Sequence, residues 1–355
     1  MNDRMRPMDI VIAWVDGNDI DLKKKRQQYL GQTEASAAVE ETRFASNNEI
    51  YFCIASILKY VPYAGKIYVI TDQQSPQWIE EFERQNLCEK GKIRIVDHKE
   101  LFEGHASVLP TFNSLSIETM LWNIKDLSDY FVYLNDDFFF NCPSKTHDFL
   151  DEDRMVIYGH WESNFIKKIK YILRKFIQDK FGKTAQPKYS IAQMLSSDCL
   201  GLSQYYEIHH RPHILNRSLL QDFFQKNMKL LDKQISFKFR NIDQILPVGL
   251  SNHLAIQNNR AILKEDVEIA YLKDDRDLEK FITALANDAI KFGCIQSVDL
   301  GGSGVIKKKS FALIEKFKDK WDWYSLSTNE SLSWSTEMIE KYKENWDWDY
   351  LSRNK

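Results

Sequence analysis

The stretch DIVIAWVDGND (residues 9–19) opens with apolar residues, many of them β-branched, and closes in a turn of Asp, Gly and Asn. This pattern predicts a short buried strand over 9–15 that ends directly in a loop. Three later segments have the same apolar character: KIYVIT (66–71), KIRIV (92–96) and YFVYL (130–134). Continuous apolar runs of this kind are typical of strands that are covered on both faces.

Helical patterns separate these predicted strands. Residues 47–61 and 114–124 carry apolar side chains at helical spacing, and SPQWIEEFERQ (75–85) begins with Pro76, which is favoured in a first helical turn. Strands that alternate with helices form parallel sheets with helices on both faces. We therefore predict an α/β fold with a Rossmann-like, mainly parallel sheet, in which ligands bind at the carboxyl ends of the strands.

The composition is that of an ordinary globular protein. Of the 355 residues 43% are hydrophobic, and 48 Lys and Arg nearly balance 51 Asp and Glu. The absence of a basic excess argues against a dedicated nucleic-acid-binding protein, and no apolar run approaches the ~20 residues that cross a bilayer. Asp16 interrupts the N-terminal apolar run, so this run is not expected to be a secretory signal peptide.

Five cysteines without CxxC spacing predict buried thiols in the reducing cytoplasm rather than disulfides or a zinc site.

The strongest local motif is the turn Asn135-Asp136-Asp137, directly after the strand at 130–134. Two adjacent carboxylates supply the hard oxygen ligands that Mg²⁺ or Mn²⁺ prefers and leave positions for a diphosphate. The alternative is a solvated acidic turn that closes the strand. Its place at the carboxyl edge of the sheet favours the metal site.

A second acidic turn, Asp16-Gly17, ends the first strand. The Asp16 carboxylate is suited to accept a hydrogen bond from a ribose or a base, and Gly17 permits close approach of the backbone to a ligand. From this motif alone a structural turn is the favoured interpretation.

Imidazole and guanidinium groups occur further along the chain. HHRPH (209–213) places three histidines within five residues, and an imidazole that titrates near neutral pH can take a proton from an acceptor hydroxyl. Arg43 and Arg240 are each suited to bind a phosphate through the fork of the guanidinium, but surface ion pairing is the favoured interpretation of either from these segments alone. Neither a P-loop nor a GxGxxG motif is present.

Two regions differ from the rest of the chain. Residues 143–205 contain a basic amphipathic stretch at 166–184, for which a core helix with a solvated basic face is favoured over one that lies on an anionic membrane. Residues 306–355 hold two Trp-rich repeats of about 25 residues, in which Trp321 recurs as Trp346. We expect a small helical repeat region there, either packed on the main domain of residues 1–305 or part of a longer array.

Four blocks of this sequence, in this order, resemble the Stealth family of sugar-phosphate transferases. That family includes bacterial capsular polysaccharide phosphotransferases and the animal lysosomal-enzyme N-acetylglucosamine-1-phosphotransferase. The blocks are DIVIAWVDGND (9–19), the segments from TRFASNNEIYF (42–52) to YLNDDFFF (133–140), HRPHILNRSLLQDFF (210–224) with SFKFRNIDQ (236–244), and the less similar KFGCIQSVD (291–299).

The resemblance implies a GT-A-like version of the fold. It also implies an activity, the transfer of a sugar 1-phosphate from a nucleotide diphosphate sugar, commonly UDP-linked, to a hydroxyl of an acceptor glycan. The nucleoside monophosphate is released, and the product belongs to a capsule or surface polysaccharide. By position the resemblance implies catalytic roles for Asp136, Asp137, His210 and Arg240, and a Mg²⁺ or Mn²⁺ ion held by Asp136, Asp137 and Asp299. The substrate contacts it implies are Asp16, Gly17, Arg43, Asn48, Glu49, Asn113, Asn135 and His213.

The chain departs from the family pattern in two places. Gln296 and Ser297 stand where the family usually has Asn-Asp, and Tyr51 and Ala55 stand where it tends to have arginines. Two alternatives therefore stay open, a metal-dependent GT-A glycosyltransferase that releases UDP and a catalytically weakened glycan-binding or scaffold protein. The expected partners are a nucleotide-sugar donor and a glycan acceptor, free or lipid-linked, and not nucleic acid. Peripheral contact with the inner face of the cytoplasmic membrane and a homo-oligomer are left open.

Overall fold

The computed structural model describes residues 7–30, 49–76, 79–182, 185, 187–273, 275–295, 312–321, 323–327 and 336–352. The strands are β1 (Met8–Ala13), β2 (Ala64–Thr71), β3 (Ile93–Asp97), β4 (Tyr130–Asn135), β5 (Phe138–Phe140), β6 (Leu150–Asp151), β7 (Arg154–Tyr158), β8 (His160–Ser163), β9 (Gln204–Glu207), β10 (His213–Asn216), β11 (Ala261–Lys264), β12 (Ala270–Leu272) and β13 (Phe292–Ile295). The helices are α1 (Ile20–Gln27), α2 (Glu49–Tyr60), α3 (Glu81–Arg84), α4 (His98–Leu101), α5 (Ser114–Thr119), α6 (Asn164–Phe181), α7 (Tyr189–Asp198), α8 (Arg217–Lys226), α9 (Met228–Ser236), α10 (Pro247–Gln257), α11 (Leu278–Leu285), α12 (Trp323–Ser327), α13 (Thr336–Lys341) and α14 (Trp348–Leu351).

The central sheet has five strands in the order β10-β4-β1-β2-β3. β4, β1, β2 and β3 run parallel, and β10 joins the edge antiparallel to β4. Successive residues of β4 and of the end of β2 are buried, so both faces of the sheet are covered. The predicted α/β fold with a mainly parallel sheet is confirmed.

Strand register places the two acidic turns at one edge of this sheet. Ala13, the last residue of β1, lies opposite Asn135, the last residue of β4. Because the two strands are parallel neighbours, the turns that begin at Asp16 and Asp136 both leave the carboxyl edge. The prediction that both turns lie at that edge is confirmed.

The chain changes sheets directly after the Asp136-Asp137 turn. β5 pairs antiparallel with β13, with Phe138 opposite Cys294, and β13 pairs parallel with β12. Gly293 allows close contact in this small sheet, because a Cβ there would lie 2.0 Å from the Phe139 ring. The two carboxylates therefore lie at the junction of two sheets, beside Cys294.

Some predicted elements differ from those in the structure. The helix predicted to open at Pro76 is described only from Glu81, as α3, and residues 77–78 lie outside the described part of the chain. The helix predicted at 114–124 is α5 followed by a 3₁₀ turn at Leu121–Asn123. Among the cysteines, Cys53, Cys142 and Cys294 are buried as predicted, but Cys88 is half-buried and Cys199 is exposed.

The two Trp-rich repeats make the same hydrogen bond in each copy. The Trp321 indole donates to the Ile314 carbonyl at 3.1 Å, and the Trp346 indole donates to the Ile339 carbonyl at 3.0 Å. The copies pack on each other where the Trp323 and Trp346 rings meet edge to face, 4.9 Å apart. Each repeat thus folds back on its own tryptophan.

The first repeat packs on α2 of the main sheet domain. The Trp321 ring contacts Phe52 edge to face at 5.1 Å, and Phe317 contacts Tyr60 at 5.9 Å. Lys59 forms an ion pair with Asp319. The repeat region therefore supports the helix that begins at Glu49. The domain boundary at residue 305 stays a prediction.

Trp321→Ala is expected to lower the melting temperature, because it leaves a cavity against Phe52. Truncation of a buried aromatic side chain costs about 3–5 kcal/mol. Thermal unfolding and limited proteolysis of the tail measure this loss. The matched control is Trp348→Ala, since Trp348 is 51% exposed in the same region. Equal destabilisation by the two substitutions would contradict this account of the tail.

Candidate active site

Asp136 and Asp137 are half-buried at the end of β4. Asp137 Oδ2 lies 3.6 Å from the Cys294 thiol, while its Oδ1 is buried and has no hydrogen-bond partner among the described residues. Burial raises the pKa of Asp137 to about 7, against the opposing effect of the Cys294 hydrogen bond, with Glu49 adding to the rise. Burial, followed by the charges of Asp137 and Glu49, raises the pKa of Asp136 well above its ordinary value.

This cluster of carboxylates has the chemistry of a site for a hard divalent cation. Glu49, the first residue of α2, is buried and contributes a third negative charge. An unpartnered buried carboxylate oxygen in a concentration of like charge calls for a cation or a proton. Asp136 and Asp137 would supply the oxygen ligands of Mg²⁺ or Mn²⁺. Asp299, the third predicted ligand, lies outside the described residues.

Among the described residues, three potential ligand atoms lie within 4.8 Å of one another in two groups, both distinct from the cluster of Asp136, Asp137 and Glu49. They are His160, His209 and Asp266, and His160, Glu162 and Glu207. Both groups share His160, whose Nδ1 lies 2.6 Å from Asp266 Oδ2 at the exposed surface. Neither group includes the Asp136-Asp137 pair.

Arg240 is linked to α5 by a pair of hydrogen bonds. Its Nε and Nη2 donate to the Ser114 hydroxyl at 3.1 and 2.5 Å. The charge of Arg240 lowers the pKa of Asp137 and of His210, so the guanidinium is electrostatically coupled to both predicted catalytic groups. Arg240 is half-buried.

Asn113 positions the segment that carries Arg240. Its side-chain amide donates to the carbonyls of Phe237 and Phe239 at 3.1 and 2.8 Å, and to Gln244 Oε1 at 2.8 Å. Its Oδ1 accepts from the backbone N–H of Leu115 and caps α5. The described contacts of Asn113 therefore hold the Arg240 segment against α5.

Glu118 is a buried acid of the site that sequence reasoning missed. Burial raises its pKa to about 7, against the opposing effects of the Arg240 charge and of hydrogen bonds from Tyr133 and Ser114. The Tyr133 hydroxyl also donates to Asn135 Oδ1 at 2.9 Å. The Tyr133 hydroxyl therefore links Glu118 to Asn135 at the end of β4. One signal was available, because Glu118 is the single charged residue in 114–124.

His210 is held among aromatic rings. Its imidazole stacks on Tyr189 with ring centroids 4.9 Å apart and lies parallel to Tyr271 at 6.5 Å, while Phe138 meets it edge to face at 6.3 Å. Burial lowers its pKa from the ordinary 6.5, and the charges of Arg240 and His209 lower it further. The imidazole is therefore neutral at neutral pH and able to accept a proton. Phe138 adjoins Asp137 in sequence, and the Arg240 charge that lowers the pKa of His210 also lowers that of Asp137.

The three histidines of the HHRPH segment lie in different environments. His209 is exposed, with Nε2 3.5 Å from Asp266 Oδ1. His213 is buried in β10 opposite Tyr133, where burial and the charge of Arg211 lower its pKa well below the ordinary value. His210 alone of the three stacks on Tyr189 and Tyr271.

The Asp16-Gly17 turn borders this cluster. The backbone N–H and carbonyl of Asp16 are each 3.0 Å from the Gln74 side chain, and Asp16 Oδ1 accepts from the Asn18 N–H at 2.9 Å. Val15, one residue earlier, packs on the cluster that contains Phe239, which adjoins Arg240. Electrostatic interactions link Asp136 and Asp137 with Glu49, and Arg240 with both Asp137 and His210. The Asp16 turn is connected to this group through the packing of Val15 on the cluster that contains Phe239. Arg43 and Asn48 lie outside the described residues.

Two segments of the chain match models of a known protein family. The Stealth protein conserved region 1 matches residues 6–34, and conserved region 2 matches residues 43–157. Capsular polysaccharide phosphotransferase LcbA of Neisseria meningitidis is 38% identical over 138 residues, which are 38% of this chain and 36% of LcbA. Receptor polysaccharide phosphotransferase WefC of Streptococcus gordonii is 27% identical over 254 residues, which are 66% of this chain and 73% of WefC.

A solved structure of galactosyltransferase LgtC with donor and acceptor sugar analogs is 15% identical, with a TM-score of 0.38 over 88% of this chain and 96% of LgtC. The chain spans little more than a third of LcbA. The region 2 match includes Glu49, Asp136 and Asp137, and the region 1 match includes Asp16. This chain therefore carries conserved regions 1 and 2 of the Stealth proteins, which confirms the resemblance drawn from its sequence.

Proposed function

We propose that this chain transfers a sugar 1-phosphate from a nucleotide diphosphate sugar to a hydroxyl of an acceptor glycan. A bond forms between the acceptor oxygen and the β-phosphorus, and the bond from that phosphorus to the bridging oxygen breaks. The nucleoside monophosphate leaves with the bridging oxygen, and the hydroxyl proton passes to a base of the protein. The observation that carries the proposal is the grouping of two carboxylates, a guanidinium and a neutral imidazole at one strand end. The names of LcbA and WefC as polysaccharide phosphotransferases support it.

Phosphoryl transfer needs an aligned nucleophile and neutralised phosphate oxygens more than covalent help from the protein. Arg240, already bonded to Ser114, presents a fixed cation to the transferred phosphate. A divalent ion bound by Asp136 and Asp137 would neutralise diphosphate charge. Each such electrostatic contact is worth roughly 3 kcal/mol of barrier.

His210 is the base of the proposed reaction. Its lowered pKa leaves the imidazole unprotonated at neutral pH, so that it can accept the hydroxyl proton as the new bond forms. The stacked rings of Tyr189 and Tyr271 restrict its orientation. Glu118 acts as a positioning residue, since it reaches Arg240 through Ser114.

The finer assignments belong to the same proposal. The donor is a UDP-linked sugar such as a UDP-N-acetylhexosamine, bound beside the Asp16-Gly17 turn at the carboxyl edge of the sheet. The acceptor is a glycan of a capsule or surface polysaccharide, carried on a lipid at the inner face of the cytoplasmic membrane. Mg²⁺ or Mn²⁺ is the cofactor.

A screen of nucleotide sugars with Mg²⁺ or Mn²⁺ and candidate glycan acceptors tests the proposal. We expect release of the nucleoside monophosphate together with a phosphodiester in the product, detected by chromatography and ³¹P NMR. Chelation of divalent ions is expected to stop the reaction. Release of UDP without a phosphodiester would instead identify a glycosyltransferase. Binding of glycan without turnover of any donor would identify a binding protein.

A further inference from the structure

The longest helix of the described chain, α6, packs on the protein through its polar face. Lys168 Nζ lies 2.6 Å from Asp198 Oδ1, while the Tyr171 hydroxyl and Lys175 Nζ reach the two oxygens of Asp243 at 2.9 and 3.0 Å. One turn later, Gln178 Oε1 accepts from the backbone N–H of Ala185 at 2.8 Å. These residues recur every three or four positions and so define one face of the helix.

The opposite face of α6 is apolar and exposed to solvent. The eight large apolar side chains on it have 42% to 70% of their surface exposed: Phe165, Ile166, Ile169, Ile172, Leu173, Phe176, Ile177 and Phe181. The expectation that this stretch forms a core helix with a solvated basic face is therefore wrong. A contiguous apolar surface of this kind on a folded protein marks a site of interaction with another molecule or a membrane.

The charges on α6 indicate the kind of partner. The helix carries six Lys and Arg residues and a single acid, Asp179. Lys170 and Lys180 are exposed beside the apolar face, and the Lys180 ammonium lies over the Phe176 and Phe181 rings at 5.5 and 5.8 Å. An ammonium placed over apolar rings can remain at an aqueous boundary while the rings enter an apolar phase.

A second copy of this chain fits this surface less well than an anionic bilayer does. A symmetric pair would bring two strongly basic helices into contact, and like charges would oppose association. An anionic lipid surface attracts the lysines, and its acyl region takes up the apolar side chains. Within the described residues, no helix has the length and apolar content needed to span a bilayer. Contact with lipid through α6 would thus be peripheral.

We infer that the exposed apolar face of α6 inserts into the interface of a bilayer that contains anionic phospholipid. The inference deepens the location given in the proposed function, and membrane binding itself does not require the transfer chemistry. α6 bonds to Asp243, three residues after Arg240, and the chain that follows it leads to Tyr189, which stacks on His210. Insertion of α6 therefore brings the candidate site close to the surface that carries lipid-linked glycans.

Co-sedimentation of the full chain with vesicles tests this inference. We expect binding to phosphatidylcholine vesicles that contain phosphatidylglycerol, and much weaker binding to phosphatidylcholine alone. The double substitution Ile172→Glu with Phe176→Glu is expected to lower the partition coefficient by more than about tenfold. The matched control is Val267→Glu with Ile282→Glu, which adds the same charge at two exposed apolar residues outside α6.

A second variant separates lipid binding from a folding defect. Lys167→Gln, Lys170→Gln and Lys180→Gln together retain the apolar face, so we expect weaker binding with less dependence on salt. Equal sedimentation of the parent and the Ile172/Phe176 variant would overturn the inference. So would a parent that forms a lipid-free dimer through this face and does not bind vesicles. Nucleoside monophosphate release with a soluble acceptor, measured without lipid, reports on the transfer chemistry independently.

Discussion

Asp137→Asn is expected to lower nucleoside monophosphate release by about a thousandfold or more while raising the melting temperature of the protein without added metal. The loss of activity follows from the role of Asp137 as a proposed ligand of the divalent ion. The gain in stability follows from the burial of its carboxyl group at a junction of two sheets, with Oδ1 unpartnered. A residue that served only to hold the fold would show the opposite effect on stability.

The direction of the stability change follows from proton linkage. The folded-state pKa of Asp137 is about 7 and its ordinary value is 3.8, so between these values the folded state holds a proton that the unfolded chain has lost. Stability therefore falls as pH rises through this interval and stays low above about pH 7. Asn has no ionised form, so the variant is expected to be more stable by about 1–3 kcal/mol at neutral pH.

Thermal unfolding with a chelator, from acidic to neutral pH, measures the stability effect. The melting temperature of the parent should fall as pH rises over that interval, and that of Asp137→Asn should fall less. Added Mg²⁺ or Mn²⁺ should then raise the melting temperature of the parent more than that of the variant. Asp151→Asn, at an exposed position on β6, is the matched control and should leave activity and both temperature shifts unchanged. An active Asp137→Asn protein, or one that unfolds at a lower temperature than the parent, would contradict the assignment.

Local pattern was enough to predict the four parallel strands of the central sheet, but not the antiparallel edge strand β10. β1, β2, β3 and β4 are short apolar segments between helical patterns, and buried parallel strands have few other sequence solutions. The same argument placed the Asp16 and Asp136 turns at the carboxyl edge, since parallel strands end on the same side. These predictions needed no knowledge of how distant segments pack.

Glu118 and Tyr189 could not be assigned in this way. Their neighbours in the site, Arg240 and His210, are far away in sequence and meet them only after the chain has folded. A single Glu in a helical pattern gives the same sequence signal whether it is solvated or buried. Arg240 itself was selected by family resemblance, because neither its spacing nor its neighbours distinguish it from a surface arginine.

The orientation of α6 shows a different limit. An amphipathic pattern fixes the presence of an apolar face, but not what covers it. The usual expectation is that the apolar face packs on the core, whereas Lys168, Tyr171 and Lys175 hold the polar face of α6 against the protein. The partners of these residues, Asp198 and Asp243, lie beyond the helix in sequence. The presence of the helix was therefore predictable, but the packing of its polar face against the protein was not.

His210→Gln is expected to lower the turnover number by about 10²–10⁴-fold with little change in the KM for the donor. Gln retains a polar side chain of similar reach, but it cannot accept the hydroxyl proton. Because the ring lies among Tyr189, Tyr271 and Phe138, the substitution is also expected to cost some stability, so melting temperatures must accompany the rates. His147→Gln, at an exposed histidine, is the matched control and should have the turnover number and the melting temperature of the parent.

The pH dependence of turnover distinguishes a base from a residue that only packs against the tyrosines. The rates are measured at saturating Mg²⁺ or Mn²⁺, which keeps Asp136 and Asp137 ionised. Burial and the charges of Arg240 and His209 lower the pKa of His210, so the parent rate should then rise with pH through a value below 6.5 and level off. His210→Gln should lose this acidic limb, because the group that titrates has been removed. Tyr189→Phe, which keeps the stacked ring and removes the hydroxyl, should retain it. An unchanged acidic limb in His210→Gln would assign the proton transfer to another group, with the carboxyls of Asp136 and Asp137 as the next to test, since both have raised pKa values beside the proposed phosphate position.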